Sequence, residues 1–127
     1  MRERERKLFL RKLDVEMRPF RLAGRTKNPT SGLLRAVRQG LGIPTAEVSQ
    51  KMGARRNAAF DIEVSELRGT ISLKSMSRMA EAMDCKVVYG VVPKGGKTME
   101  RLAEERLWAE LLGVAPGAGA QGSGNKE

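Results

Sequence analysis

The side chains best placed to do chemistry lie in one stretch, Leu41-Gly42-Ile43-Pro44-Thr45-Ala46-Glu47-Val48-Ser49-Gln50-Lys51-Met52-Gly53-Ala54-Arg55-Arg56-Asn57-Ala58-Ala59-Phe60-Asp61-Ile62-Glu63. It reads as two short helices joined by a tight turn at Gly53. Small residues at Ala46 and Ser49 let the two approach closely, and Ala59 and Ile62 supply the buried side of the second. A helix pair of this kind can lay its second member in the major groove of a duplex, which is wide enough for an α-helix. The chemistry on offer is recognition. Histidine is absent, so no His-based triad or general base can be built. Cys85 is the single cysteine, so neither a disulfide framework nor a Cys/His zinc site can be built, and it reads as a buried small residue. No paired carboxylates or metal-ligand cluster stand out, and the chain is expected to be no enzyme and to carry no cofactor.

The elements that position this stretch fit a chain of 127 residues, enough for one small domain with extensions. Lys and Arg number 24 against 15 for Asp and Glu, a net charge of +9. Residues 1–27 carry +6, residues 28–97 carry +5 and residues 98–127 carry −2. The excess points to a polyanionic partner, nucleic acid first and an anionic membrane surface second. No apolar run approaches the roughly 18–20 residues of a membrane span. The first seven residues, Met1-Arg2-Glu3-Arg4-Glu5-Arg6-Lys7, have no apolar core of a secretory signal, so the cytoplasm is expected. Aromatics are only 4%, which suits a small helical core better than a sandwich.

Residues 1–30 read as a basic helical arm and loop. Phe9, Leu13, Met17 and Phe20 form one stripe, and Pro19 is expected to end or kink the helix near Arg18. Residues 31–85 read as the central domain. Ser31 is expected to cap a helix that buries Leu34, Val37 and Leu41. A second helix spans Thr45 to Met52, with Val48 and Met52 inward. A third runs from Arg55 to Glu63. A fourth starts at Ser72 and carries Leu73, Met76, Met79, Ala80 and Met83. Residues 86–112 hold a strand, Lys86 to Val92, and an amphipathic helix, Thr98 to Leu112. The strand needs a partner, and its pairing with its own copy across a two-fold axis makes it the candidate dimer element. Lys94-Gly95-Gly96-Lys97 is a turn that lacks the spacing of a phosphate loop. Residues 113–127 are glycine-rich and read as a disordered tail.

The central stretch resembles the helix-turn-helix of the XRE (Cro/C1-type phage repressor) family over residues 33–83, at Leu41, Gly42, Ile43, Glu47, Val48, Met52, Gly53, Ile62 and Glu63. A longer set of matches over residues 8–112 resembles the mobile mystery protein A subgroup. It comprises Leu13-Asp14, Gly32 to Arg38, Gly69-Thr70-Ile71-Ser72-Leu73, Ala80 to Cys85, Val88-Tyr89 and Val92-Pro93. The resemblance implies a mainly α, lambda-repressor-like helix-turn-helix bundle of four to five helices, with one C-terminal β-strand and flanking N- and C-terminal helices. It implies a transcriptional regulator that binds double-stranded DNA as a homodimer. By the same resemblance, Thr45 would meet a phosphate at a helix start and Gln50 would lie near the backbone. Arg55, Arg56, Asn57, Phe60 and Asp61 would occupy the outward part of the recognition helix. Arg56 would then face guanine, Asn57 adenine and Phe60 a thymine methyl. Arg68, Thr70 and Lys74 would contact the backbone.

Three positions depart from the family. Pro44 and Arg55 stand where capping residues are usual, and each lost cap costs roughly 0.5–2 kcal/mol. Ala59 stands where a larger apolar residue is usual. Members of the subgroup are typically encoded beside a Fic-domain protein, which implies an alternative, an antitoxin-like module that binds a Fic-domain protein. The inhibitory Ser/Thr-x-x-x-Glu-(Gly/Asn) pattern is approached only at Ser77 to Ala82, where Ala82 breaks it.

Overall fold

The computed structural model describes residues 1–114. They form six α-helices: α1 (Glu3–Ala23), α2 (Leu33–Leu41), α3 (Thr45–Lys51), α4 (Ala58–Arg68), α5 (Leu73–Ala82) and α6 (Met99–Leu112), with a short 3-10 turn at Lys94–Gly96. The chain is thus mainly helical. No described helix is long and apolar enough to cross a membrane. Two compact units are present. One is Lys27–Val88. The other joins Met1–Thr26 to the chain from Tyr89 onward.

In the first of these, α2 to α5 surround a small core of Leu34, Val48, Ala59, Met79 and Met83, with Ile43, Met52, Ile62, Ile71 and Met76 packed on it. Burying each large member stabilises by about 1.5–3 kcal/mol. Of the α2 stripe only Leu34 is buried. Val37 and Leu41 face solvent, because the nine-residue helix meets α4 and α5 along a narrow line. Ser31 does not cap α2. Gly32 is the capping residue, with φ +94°, and the Glu66 carboxylate accepts from the Leu33 and Leu34 amides at 2.8 and 2.9 Å. A carboxylate at a helix start is favoured by the dipole, and this one reaches there from the far end of α4. Ser72 does cap α5, its Oγ accepting from the Ser75 amide at 3.0 Å.

The buried charge of this unit is Glu63, 1% exposed. Its carboxylate accepts from Arg35 Nε at 3.1 Å and from Arg38 Nη2 at 3.2 Å, while Arg38 Nη1 donates to the Ile43 carbonyl at 3.0 Å. Arg38 Nε completes a fork onto Glu63. One side chain therefore ties α2 to α4 and to the turn before α3.

In the second unit α1 does not end at Arg18. It runs through Pro19 to Ala23, and the Gly24 amide donates to the Phe20 carbonyl at 2.8 Å. Pro19 offers no N–H to the Val15 carbonyl. The last turn is held from outside instead: a Cβ at Gly90 would lie 2.6 Å from Phe20 Cγ, so glycine is what lets the chain lie flat on that ring. This packing also accounts for the missing strand. Lys86 to Val92 forms no ladder among the described residues, and its end lies side-on against α1, where Val92 Cγ2 comes within 3.6 Å of a Cβ position at Gly24. Asp14, buried, accepts from the Met99 and Glu100 amides at 2.7 and 3.1 Å and so caps α6. Thr98 Oγ1 accepts from Arg101 in the same turn. Lys97 donates to Glu105 at 2.6 Å. This hydrogen bond, together with the nearby charges of Lys97 and Arg101, holds the Glu105 carboxyl below its ordinary range. The α6 stripe is not buried as a whole: Leu107, Trp108 and Leu111 face solvent, while Ala109 points inward. Most of the expected tail, from residue 115, lies outside the described residues.

Candidate nucleic-acid interface

The interface begins with how α3 seats α4. The chain leaves α3 through Gly53, whose φ of +66° favours glycine, and the Ala54 amide donates back to the Ser49 carbonyl at 3.0 Å. Ser49 is fully buried, and its Oγ accepts from the Ala59 amide at 2.9 Å. Ala59 is in the first turn of α4, so its amide is one of those that a helix leaves without an internal partner. The capping oxygen that neither Arg55 nor Asn57 supplies locally arrives from the neighbouring helix. Ala59, itself fully buried, leaves room for this close approach. The small residue that departs from the family pattern is therefore part of the joint.

The third helix starts later and ends later than expected, at Ala58 and Arg68. Arg55, Arg56 and Asn57 precede it, in the turn, and are not on the helix face. The reason is local. The Ala58 amide donates to the Arg55 carbonyl in a separate turn, and Asn57, at φ −91° and ψ 6°, closes that turn before α4 begins. All three side chains are exposed, as are Phe60 and Asp61 in the first turn of α4. These five residues come together at one end of α4. Phe60 is 49% exposed, large for an apolar ring on a small unit.

The charges at that end are not independent. Arg55 and Asp61 form an ion pair in contact distance, both side chains more than half exposed. Asp61 therefore takes up one of the two guanidinium groups, whereas Arg56 has no carboxylate partner among the described residues.

The remaining candidates lie elsewhere on the unit. Thr45 is the first residue of α3, half-buried, and follows Pro44, which supplies no side-chain cap. Gln50 is exposed near the end of α3. Arg68 closes α4, about 15 Å along the axis from Ala58 at the rise of an α-helix. Thr70 is in the following loop, its hydroxyl 3.4 Å from the Ser65 carbonyl, and Lys74 is exposed in the first turn of α5. Arg68, Thr70 and Lys74 thus form a separate group at the other end of α4. Both groups are open to solvent.

Cys85 is exposed, not buried, because Asp84 at φ +61° turns the chain outward after α5. Ser77 to Ala82 lies on α5 with Met79 and Ala80, two of its six residues, buried in the core. The residues missed from sequence are the ones that hold the frame, Glu63, Arg35 and Arg38. Their signal was present: Glu63 follows Ala59 by four residues and so shares its inward face.

No protein-family model matches the chain, and no curated protein or solved structure does so either.

Proposed function

We propose that the chain is a sequence-specific DNA-binding transcriptional regulator of the XRE helix-turn-helix type, in which α3 supports α4 as a major-groove recognition helix and two copies act together. The single observation that carries this reading is the solvent-open end of α4, with Arg56, Asn57 and Phe60 projecting from a helix start fixed by Ser49. A rigid, exposed helix start with a guanidinium and a carboxamide beside it suits base edges in the major groove. The chain's net charge of +9 supports the same partner. Arg68 and Lys74, at the other end of α4, suit phosphates, which position a protein without reading sequence.

The test is selection from a random duplex library with the full chain. Enrichment of a palindrome with half-sites about 34–36 Å apart supports the reading. On the selected duplex, Arg56→Ala should cost about 1–3 kcal/mol and relax preference at one base position, whereas Lys74→Ala should weaken all duplexes alike. Failure to enrich any sequence, or equal loss on every duplex for Arg56→Ala, refutes it.

A further inference from the structure

The clefts of this protein differ in sign. In the unit that joins Met1–Thr26 to the chain from Tyr89 onward, the cleft beside Arg6 and Arg106 includes Glu110. In the other unit, the cleft beside Lys51 and Arg78 includes Glu81 and Asp84. A further cleft of the first of these units, about 420 Å³, has Arg21, Arg25 and Lys94 in its walls and no carboxylate. Its size falls in the roughly 300–1,000 Å³ range of small-molecule pockets.

The end of α1 forms one wall. Its last carbonyls are already in use: those of Phe20, Leu22 and Ala23 accept from the Gly24, Arg25 and Thr26 amides at 2.8, 3.1 and 3.0 Å. The partial negative charge of a helix C-terminus weighs less than one full cation, and three cations stand here. Arg21 is held in place. Its Nη1 donates to the Asp14 carbonyl at 2.8 Å, and the Asp14 carboxylate, 3.8 Å away, offsets part of its charge. Arg25 and Lys94 are exposed and have no carboxylate in ion-pair reach among the described residues. Lys97, the next cation along the chain, is occupied by Glu105.

The facing wall is the turn Lys94–Gly96, which follows half-buried Val92 and buried Pro93. Gly95 and Gly96 have φ of +81° and +76°, a region that glycine enters without strain. A Cβ at Gly95 would meet nothing within 4 Å, and one at Gly96 would lie 3.9 Å from Arg25 Nη2. The backbone of the turn is bare, and the Arg25 guanidinium lies over it. Such a wall lets a ligand oxygen come close to the peptide group. Spacing alone does not make this turn a phosphate loop. The cations that complete it come from the end of α1.

We propose that this cleft binds a small phosphate monoester, its phosphoryl group held by Arg25 and Lys94 with Arg21 fixed beside them, and its organic part lying toward Val92 and Pro93. A guanidinium fork pairs with two phosphate oxygens, and an ammonium group adds a point charge. A monoester suits this charge better than a nucleic-acid backbone does, because it is close to a dianion at neutral pH whereas each backbone phosphate carries a single charge. The assignment goes beyond duplex recognition and does not depend on it: a chain that bound no DNA would still take the ligand.

The test titrates phenyl phosphate into the isotope-labelled full chain at constant ionic strength and about pH 8, where the monoester is a dianion, and follows the backbone amide shifts. Saturable shifts centred on Arg25 and on Lys94 to Lys97 are expected, with a Kd on the order of 1 mM. Arg25→Gln and Lys94→Gln should each weaken binding about fivefold or more and leave the rest of the spectrum in place, since both side chains are exposed. The chain carries a net charge of +9, so Arg56→Gln, in the other unit, serves as the control for general ionic attraction and should leave the Kd unchanged. Methyl phenyl phosphate, a singly charged diester, should bind about fivefold or more weakly than the monoester. Absence of saturation up to about 20 mM overturns the proposal, as do shifts spread over the basic residues of both units or a Kd that neither glutamine variant alters. A diester that binds as tightly overturns it in favour of a nucleic-acid backbone contact. Inorganic phosphate that binds as tightly overturns it in favour of a site for the free ion.

Discussion

Ser49 Oγ and the Ala59 amide meet at 2.9 Å in a fully buried joint, and this one hydrogen bond fixes the start of α4 against α3. Ser49→Ala removes the acceptor and leaves a buried N–H without a partner. That costs about 1–3 kcal/mol, more than the net worth of an average hydrogen bond. Urea unfolding of the full chain should register the loss as a lower midpoint. Ser49→Thr keeps the hydroxyl but adds a methyl group to a fully buried position, so it should rescue only part of the loss. An unchanged midpoint for Ser49→Ala would mean that the α4 start is secured elsewhere.

Glu63 is the other fixed point. Glu63→Ala would leave Arg35 and Arg38 facing an emptied buried site. Breaking a buried pair by removing one partner costs about 3–5 kcal/mol. Here about 3 is expected, because both arginines keep some contact with water, with side-chain exposures of 27% and 14%. Since Arg38 also donates to the Ile43 carbonyl, the loss should loosen the turn ahead of α3. Hydrogen exchange should show faster amide exchange from Gly42 to Val48 in the variant, and unchanged protection there would separate the ion pair from the turn.

These two joints show what the sequence exposes of this molecule and what it conceals. Helix α5 and its Ser72 cap were legible because periodicity and cap lie within one local window. The boundaries of α4 were not, because the oxygen that stabilises its start comes from Ser49, ten residues earlier, and no capping residue marks Ala58. The cap of α2 was misplaced for the same reason: Glu66 reaches it from more than thirty residues away. Pro19 is a strong local stop signal, overridden by the seat that Gly90 makes for Phe20. The candidate site was legible in composition, as a run of Arg, Arg and Asn. The pairing of Arg55 with Asp61 was not, since it depends on the turn that separates Asn57 from the helix.

That pairing carries its own consequence. Asp61 holds Arg55 at the surface and sets a negative charge at the end of α4 that the proposed function turns toward a duplex, itself a polyanion. Asp61→Asn releases the guanidinium and removes the repulsion. Affinity should rise on every duplex, and the dependence on salt should steepen by about one counterion. Fluorescence anisotropy with a selected and a scrambled duplex at several salt concentrations measures both. A gain confined to the selected duplex would instead make Asp61 a reader of base identity.

The contact between Phe20 and Gly90 makes the last prediction, for the other unit. A methyl group at Gly90 would sit 2.6 to 2.9 Å from Phe20 Cγ, Cδ1 and Cβ, inside the closest approach that carbon atoms tolerate. Rotation about the Cα–Cβ bond would swing Cγ and Cδ1 but leaves Cβ in place at 2.9 Å, so it does not clear the space. Relief requires the chain at Gly90 or the last turn of α1 to move. Forced overpacking of this kind costs about 1–3 kcal/mol. Because Pro19 already removes a hydrogen bond from that turn, the strain should appear there first, as lost helicity from Phe20 to Ala23. Chemical shifts of those residues in Gly90→Ala should move toward coil values, while Leu34, Val48 and Met79, in the other unit's core, keep theirs. Phe20→Ala in the same chain removes Cγ and Cδ1 but keeps Cβ, and so should restore part of the room for the methyl group, leaving the double variant less destabilised than the two single changes added together.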